Sequence, residues 1–247
     1  MKRNIKLEVC VDSLNSAITA QKAGAHRLEL CSGLSEGGLT PSYAFIREVR
    51  KLNICLNVLV RPRSGDFHYS NEEFEIMEED IHVCGKIGCD GVVIGALNTD
   101  GTIDKERCER LIKVAHSYSM SVTFHRAFDR SNDLFEALED VIELKCNRIL
   151  TSGGYESAIE GNRVISRCME QAANRIIIMP GSGITPQNVA SLLEEKGLME
   201  IHGTFRNSYP GEMQYRNKNF KNQSEYSGLY ADSEQIKEIL SLIDKNS

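Results

Sequence analysis

This sequence has no stretch approaching the roughly 20 consecutive apolar residues that a membrane-spanning helix needs, so no partner membrane is expected. Its opening, Met1-Lys-Arg-Asn-Ile-Lys-Leu, passes at once into alternating polar and apolar residues and lacks the apolar region of a secretory signal. A cytoplasmic location is the expectation. Nor is there a strongly basic tract: the net charge is -6, and the one mildly basic run, Arg216 to Lys221, is short and carries a single aromatic. Nucleic acid is therefore not expected as a partner. Eight cysteines stand at 10, 31, 55, 84, 89, 108, 146 and 168, but none form a compact C-x-x-C spacing. In a reducing compartment these read as free thiols, not as a disulfide framework.

What the sequence does have is regular alternation. Short β-branched runs fall at about 5–11, 27–31, 54–60, 90–95, 120–125, 147–152, 175–179 and 199–202, separated by amphipathic segments with helix-end signals. Asp12 precedes a helical pattern that Gly24 stops. Thr40-Pro41 and Thr185-Pro186 read as N-cap and first helical residue, Ser70 to Glu73 as a capping box, and 232–244 as a last helix. Eight βα units in 247 residues predict a single-domain α/β fold, a (β/α)8 TIM barrel spanning 1–247. An open doubly wound sheet would be expected to show a glycine-rich fingerprint after its first strand, and "VDSLNSA" contains no glycine. The aperiodic segment 203–231 reads as a loop folded over the barrel mouth.

In such a barrel, chemistry belongs to the carboxyl ends of the strands. The phrase Leu-Glu-Val-Cys at 7–10 returns as Leu-Glu-Leu-Cys at 28–31. Strand alternation sends the leucines and valines outward to the helices and aims Glu8, Cys10, Glu29 and Cys31 at the barrel axis. Two thiols near the tops of adjacent strands make a candidate soft-metal site, since thiolates select Cu(I) over hard cations. The plainer alternative is two small buried cysteines acting as hydrophobes.

Other strand ends are polar as well: Arg61 and Arg63 after the third, His125, Arg126 and Asp129 after the fifth, Thr151, Ser152 and Gly153 after the sixth, His202 on the eighth. Buried arginine and histidine need partners, and Glu8 and Glu29 are the obvious ones. The set reads either as a charge network closing the barrel or as an acid/base site for an anionic substrate. In the second case Glu8, Glu29, Arg61, His125 and Arg126 would be catalytic, with His125 or Glu29 moving the proton. A lyase or isomerase acting on a small phosphorylated or carboxylated molecule would be the class. No lysine stands at an inward strand end, which disfavours a Schiff base. Ser152, Gly153, Gly181, Gly183 and Gly203 would supply the anion cradle usual after the last strands of these barrels, or else are ordinary glycine turns. His202 carries less weight than His125, because a lone strand histidine is more often a satisfied core residue.

Taken in order, "LEVCVDS", "RLELCSGLSEGGLTPS", "RPRSGDFHYS", "GALNTDG", "TFHRAFD", "LTSG", "MPGSGI" and "MQYRN" resemble the CutC copper homeostasis family from residue 7 to about 217. The resemblance implies a cytoplasmic (β/α)8 barrel, a homo-oligomer (dimer or tetramer), and a part in copper tolerance or trafficking. It also implies Cu(I) as the bound ion, held by Cys10 and Cys31; as a binding protein the chain would then offer two thiolates as a linear or nearly linear soft site. Ser182 departs from the family pattern where many relatives have glycine, and His68 lies at a variable position.

Overall fold

The computed structural model describes residues 4–219 and 224–246. Eight parallel strands form the barrel: β1 (Lys6–Val11), β2 (Arg27–Leu30), β3 (Cys55–Leu59), β4 (Gly91–Ile94), β5 (Ser121–Phe124), β6 (Arg148–Thr151), β7 (Ile177–Pro180) and β8 (Glu200–Gly203). Backbone ladders join them in the order β7-β6-β5-β4-β3-β2-β1-β8. β7 and β8 also lie side by side, so the barrel is nearly closed. Around it run α1 (Leu14–Ala23), α2 (Tyr43–Val49), α3 (Asn71–Ile87), α4 (Lys105–Ser117), α5 (Leu134–Glu143), α6 (Asn162–Ala172), α7 (Ala190–Leu193) and α8 (Ser233–Lys245). No helix of the described residues is long and apolar enough to cross a membrane.

The alternation read from the sequence sets the inside and the outside. Leu7, Val9, Val11, Leu28 and Leu30 join the large apolar layer between strands and helices. Cys10, Cys31, Leu59 and Val93 form a separate small cluster within the barrel. Register then decides which inward groups meet. Cys10 pairs with Glu29 across β1 and β2, and Glu8 pairs with Arg27 on β2 and with His202 on β8.

Several helix ends differ from the expected ones. Gly24 does cap α1, at φ +99° with its N–H on the carbonyls of Ala20 and Gln21, and Ser70 and Glu73 form the reciprocal capping box of α3. The α1 N-cap is Ser13, not Asp12: the Ser13 side chain accepts from Ser16 N–H, and the Asp12 carboxylate faces Arg206 at 3.7 Å. At α2 the cap is Ser42. Thr40 is engaged elsewhere, its hydroxyl accepting from the Arg61 N–H at 2.9 Å, so Thr40-Pro41 ties a loop to the end of β3 instead of starting a helix. Thr185-Pro186 opens a run of turns, with Thr185 N–H donating to the Asn188 side chain at 2.8 Å, and α7 begins only at Ala190.

The segment 203–231 is not a plain loop over the mouth. It contains an antiparallel pair, β9 (Arg206–Pro210) and β10 (Ser227–Ala231). That pair is fastened to the flank at α1, where Ala231 N–H donates to the Ser16 hydroxyl at 3.1 Å. Thr204, Phe205 and Arg206 line the mouth. Residues 220–223 of the segment lie outside the described residues.

Candidate functional site

A charge network fills the lower barrel. Glu8 is fully buried between Arg27 and His202, which approaches its Oε1 through Nδ1 at 2.8 Å, and the Asn57 amide donates to it at 3.3 Å. Arg27 reaches on to Glu200, which Arg148 also contacts at 3.1 Å. Glu8 therefore finds its cations on β2 and β8. The expectation that Glu8 and Glu29 would pair with the arginines and histidine after β3 and β5 is corrected here: neither Arg61 nor His125 makes an ion pair with them among the described residues.

Above that network sit the thiols. Cys10 Sγ lies 3.6 Å from Cys31 Sγ and donates to Glu29 Oε1 at 3.4 Å. Cys10, Glu29 and His202 each place one ligand atom within 4.8 Å of the others. Glu29 Oε2 is buried with no hydrogen-bond partner, which leaves one acceptor free beside the sulfurs. The turn at Gly37-Gly38 closes over this pair. Gly38, at φ +90°, comes so near that an added Cβ would stand 2.6 Å from Leu59 Cδ2 and 3.6 Å from Cys31 Cβ.

Electrostatics separates the roles of these groups. Burial opposes the Glu8 charge, but Arg27 and the hydrogen-bonded His202 overcome it and hold Glu8 well below the usual carboxylate range. Glu29 goes the other way, pushed up by burial and by the neighbouring Glu8 charge. Burial alone would lower His202, yet Glu29 and Glu8 together raise it above an ordinary histidine. The Cys10 thiol is driven well up by its hydrogen bond to Cys31, by burial and by Glu29. The resting site thus holds Cys10 as a thiol donating to Glu29, and an incoming cation has to displace protons.

The sulfur spacing also constrains geometry. With metal–thiolate bonds of about 2.3 Å, the zinc–sulfur value, sulfurs 3.6 Å apart subtend roughly 100° at the ion, whereas a linear arrangement needs about 4.6 Å. The two sulfurs would therefore have to move apart to hold one ion in a linear arrangement. His202 Nδ1 is held by Glu8, a carboxylate–histidine pairing that orients the imidazole, and His202 shares the compact trio with Cys10 and Glu29.

Cys10, Glu29 and His202 line a cavity of about 450 Å³. Arg61, Phe67, His125, Arg126, Leu150, Gly183, Ile184, Gly203 and Thr204 line it as well. Ser152, Gly153 and Gly181 take no part in it. The Ser152 N–H and hydroxyl both bond Asp129, the Gly153 N–H donates to the Thr151 hydroxyl at 2.8 Å, and the Gly181 N–H completes the strand ladder at 2.9 Å on Thr151 O. Of the five residues expected to cradle an anion, Gly183 and Gly203 reach the cavity. His125 is buried, with Nδ1 accepting from Ala127 N–H at 3.1 Å. Burial and the Arg61 charge push it down to about 3, which favours the neutral ring at pH 7, the form a general base requires. Sequence reasoning missed Arg27 altogether and underweighted His202. Alternation would have placed Arg27 on the same inward face as Glu29 and Cys31.

Comparison with known proteins adds to this geometry. The model of the CutC family matches residues 5–207. The copper homeostasis protein cutC homolog of Homo sapiens is 45% identical over 246 residues, covering 97% of this chain and 89% of its own length. The family protein CutC of Chromobacterium violaceum is 43% identical over 244 residues, with 97% and 98% covered. A CutC crystal structure from Streptococcus agalactiae superposes with a TM-score of 0.76 at 36% identity, covering 81% of this chain and 98% of that one.

Proposed function

The chain belongs to the CutC family, and from that premise we propose that it is a copper homeostasis protein that takes one Cu(I) ion as cargo at Cys10 and Cys31, with His202 as third donor. The observation that carries this reading is the 3.6 Å approach of the two sulfurs inside a mouth that also holds Glu29 and His202. Two thiolates and an imidazole make a soft, low-coordinate set that favours Cu(I). Cys31 stands outside the compact Cys10, Glu29 and His202 trio and joins it through Cys10, so Cys31 and His202 would have to close together around the ion.

In this reading Glu8 orients His202, and Glu29 receives the Cys10 proton as the ion enters. Holding and handing on an ion needs no turnover. The test is a Cu(I) titration against a competing chelator, with Zn(II) run in parallel. Wild type should bind one Cu(I) and prefer it to Zn(II). A Cys10→Ser, Cys31→Ser double variant that binds Cu(I) as tightly as wild type removes the proposal.

A further inference from the structure

The cavity beside the thiols contains a cation that has no counter-ion among the described residues. Arg61 is 6% exposed. Its guanidinium donates to three carbonyl oxygens, of Glu36 and Gly38 at 2.9 Å and of Gly65 at 2.7 Å, and stacks over the Phe67 ring at 5.0 Å. Among the described residues no carboxylate oxygen comes within 4.0 Å of it. Carbonyl dipoles solvate a charge but do not neutralise it, and an uncompensated buried cation costs several kcal/mol, roughly, even after relaxation.

Arg126 and Arg206 also line the cavity, though each already faces a carboxylate, Asp129 at 2.8 Å and Asp12 at 3.7 Å, while Glu29 is the carboxylate that lines it. His125, 5% exposed, accepts at Nδ1, so the proton of the neutral ring sits on Nε2, and that buried N–H has no partner. Gly183 and Ile184 line the same cavity, and among the described residues their amides make no hydrogen bond. Apolar surface from Phe67, Leu34 and Leu150 completes the enclosure, whose volume of about 450 Å³ is that of a small-molecule site.

We propose that this cavity is a binding site for a small organic oxyanion, a phosphorylated or carboxylated molecule. Its charged oxygens are held by Arg61, Arg126 and the Gly183-Ile184 amides, and a further oxygen accepts from His125 Nε2–H. The bound anion supplies the counter-charge that Arg61 lacks among the described residues. This site lies beside the thiols and does not depend on the copper reading. None of its donors is a soft ligand.

The experiment is a titration of the full chain with inorganic phosphate and, separately, with acetate, at constant ionic strength made up with chloride. It is read by NMR at the Gly183 and Ile184 amides and the His125 ring. Saturable shifts at those three positions are expected with one of the two probes. Phosphate as the better probe identifies a phosphorylated ligand, and acetate a carboxylated one. Arg61→Gln and Arg126→Gln should each weaken that binding by about tenfold or more, the loss of one charge-assisted contact. Arg63→Gln, whose guanidinium pairs with Glu73 at 2.6 Å outside the cavity, should leave it unchanged. The Cys10→Ser, Cys31→Ser double variant should bind the probe as wild type does. The proposal is overturned if neither probe gives saturable shifts in the wild-type protein, if the shifts map away from the cavity, or if both arginine variants bind as tightly as wild type. It is equally overturned if the double cysteine variant loses the probe, which would place the anion on the thiol site.

Discussion

Cys10 and Cys31, 21 residues apart in the chain, bring their sulfurs to 3.6 Å because β1 and β2 are adjacent parallel strands carrying the same inward phase. The repeated Leu-Glu-x-Cys phrase is thus one physical device used twice, with leucine packed against the helices and glutamate and cysteine turned to the lumen. Consequences of that arrangement can be measured one at a time.

Cu(I) must displace thiol protons, because the thiolate is the ligand and Cys10 is held in its protonated form by Cys31, burial and Glu29. Because binding releases protons from the site, the apparent affinity should rise with pH below the thiol range. Titrations at several pH values against a chelator of known pH dependence measure this slope. A flat profile would show that the sulfurs are not the ligands.

Glu8 is the centre of the buried network, facing Arg27 and His202. Glu8→Ala leaves Arg27 with Glu200 as its one remaining carboxylate and should cost about 3–5 kcal/mol in urea unfolding, the usual result of breaking a buried ion pair. Cys31→Ser, which removes no charge partner, should cost clearly less.

His125 gives the fold an acid sensitivity. Its ordinary value of 6.5 falls to about 3 in the folded protein through burial and the Arg61 charge. Between those values the unfolded chain binds a proton that the folded chain refuses, so this contribution to stability is fully present above pH 6.5 and is lost as pH falls toward 3. The slope is about 1.4 kcal/mol per pH unit. His125→Gln should flatten the dependence of unfolding free energy on pH within that window, whereas an unchanged slope would assign the effect to other groups.

Of the eight cysteines, seven are buried and Cys55 is exposed. Native-state alkylation should therefore modify Cys55 first, and denaturation should release the remaining seven. Loading with Cu(I) should leave the Cys55 rate unchanged while slowing modification of Cys10 and Cys31 in partly unfolded protein. Mass spectrometry of the labelled peptides reads both effects.

Much of this was legible in the sequence, and the reasons are local ones. The (β/α)8 fold follows from periodicity, and the inward phase of Glu8, Cys10, Glu29 and Cys31 follows from strand alternation alone. What failed depended on register between strands or on competition for a side chain. Glu8 meets Arg27 and His202 because those residues stand level with it on β2 and β8, and no single-strand pattern reveals that. Thr40 looks like an N-cap until the Arg61 N–H takes its hydroxyl. Ser152 and Gly153 look like an anion cradle until Asp129 and Thr151 occupy their donors.

X-ray absorption at the copper edge of the Cu(I)-loaded protein tests the central claim most directly. The account predicts a three-coordinate ion with two sulfur neighbours at about 2.3 Å and one imidazole nitrogen, the sulfur shell disappearing in the Cys10→Ser, Cys31→Ser variant and the nitrogen in His202→Gln. A spectrum built from oxygen and nitrogen alone, or one unchanged by the cysteine substitutions, would contradict it.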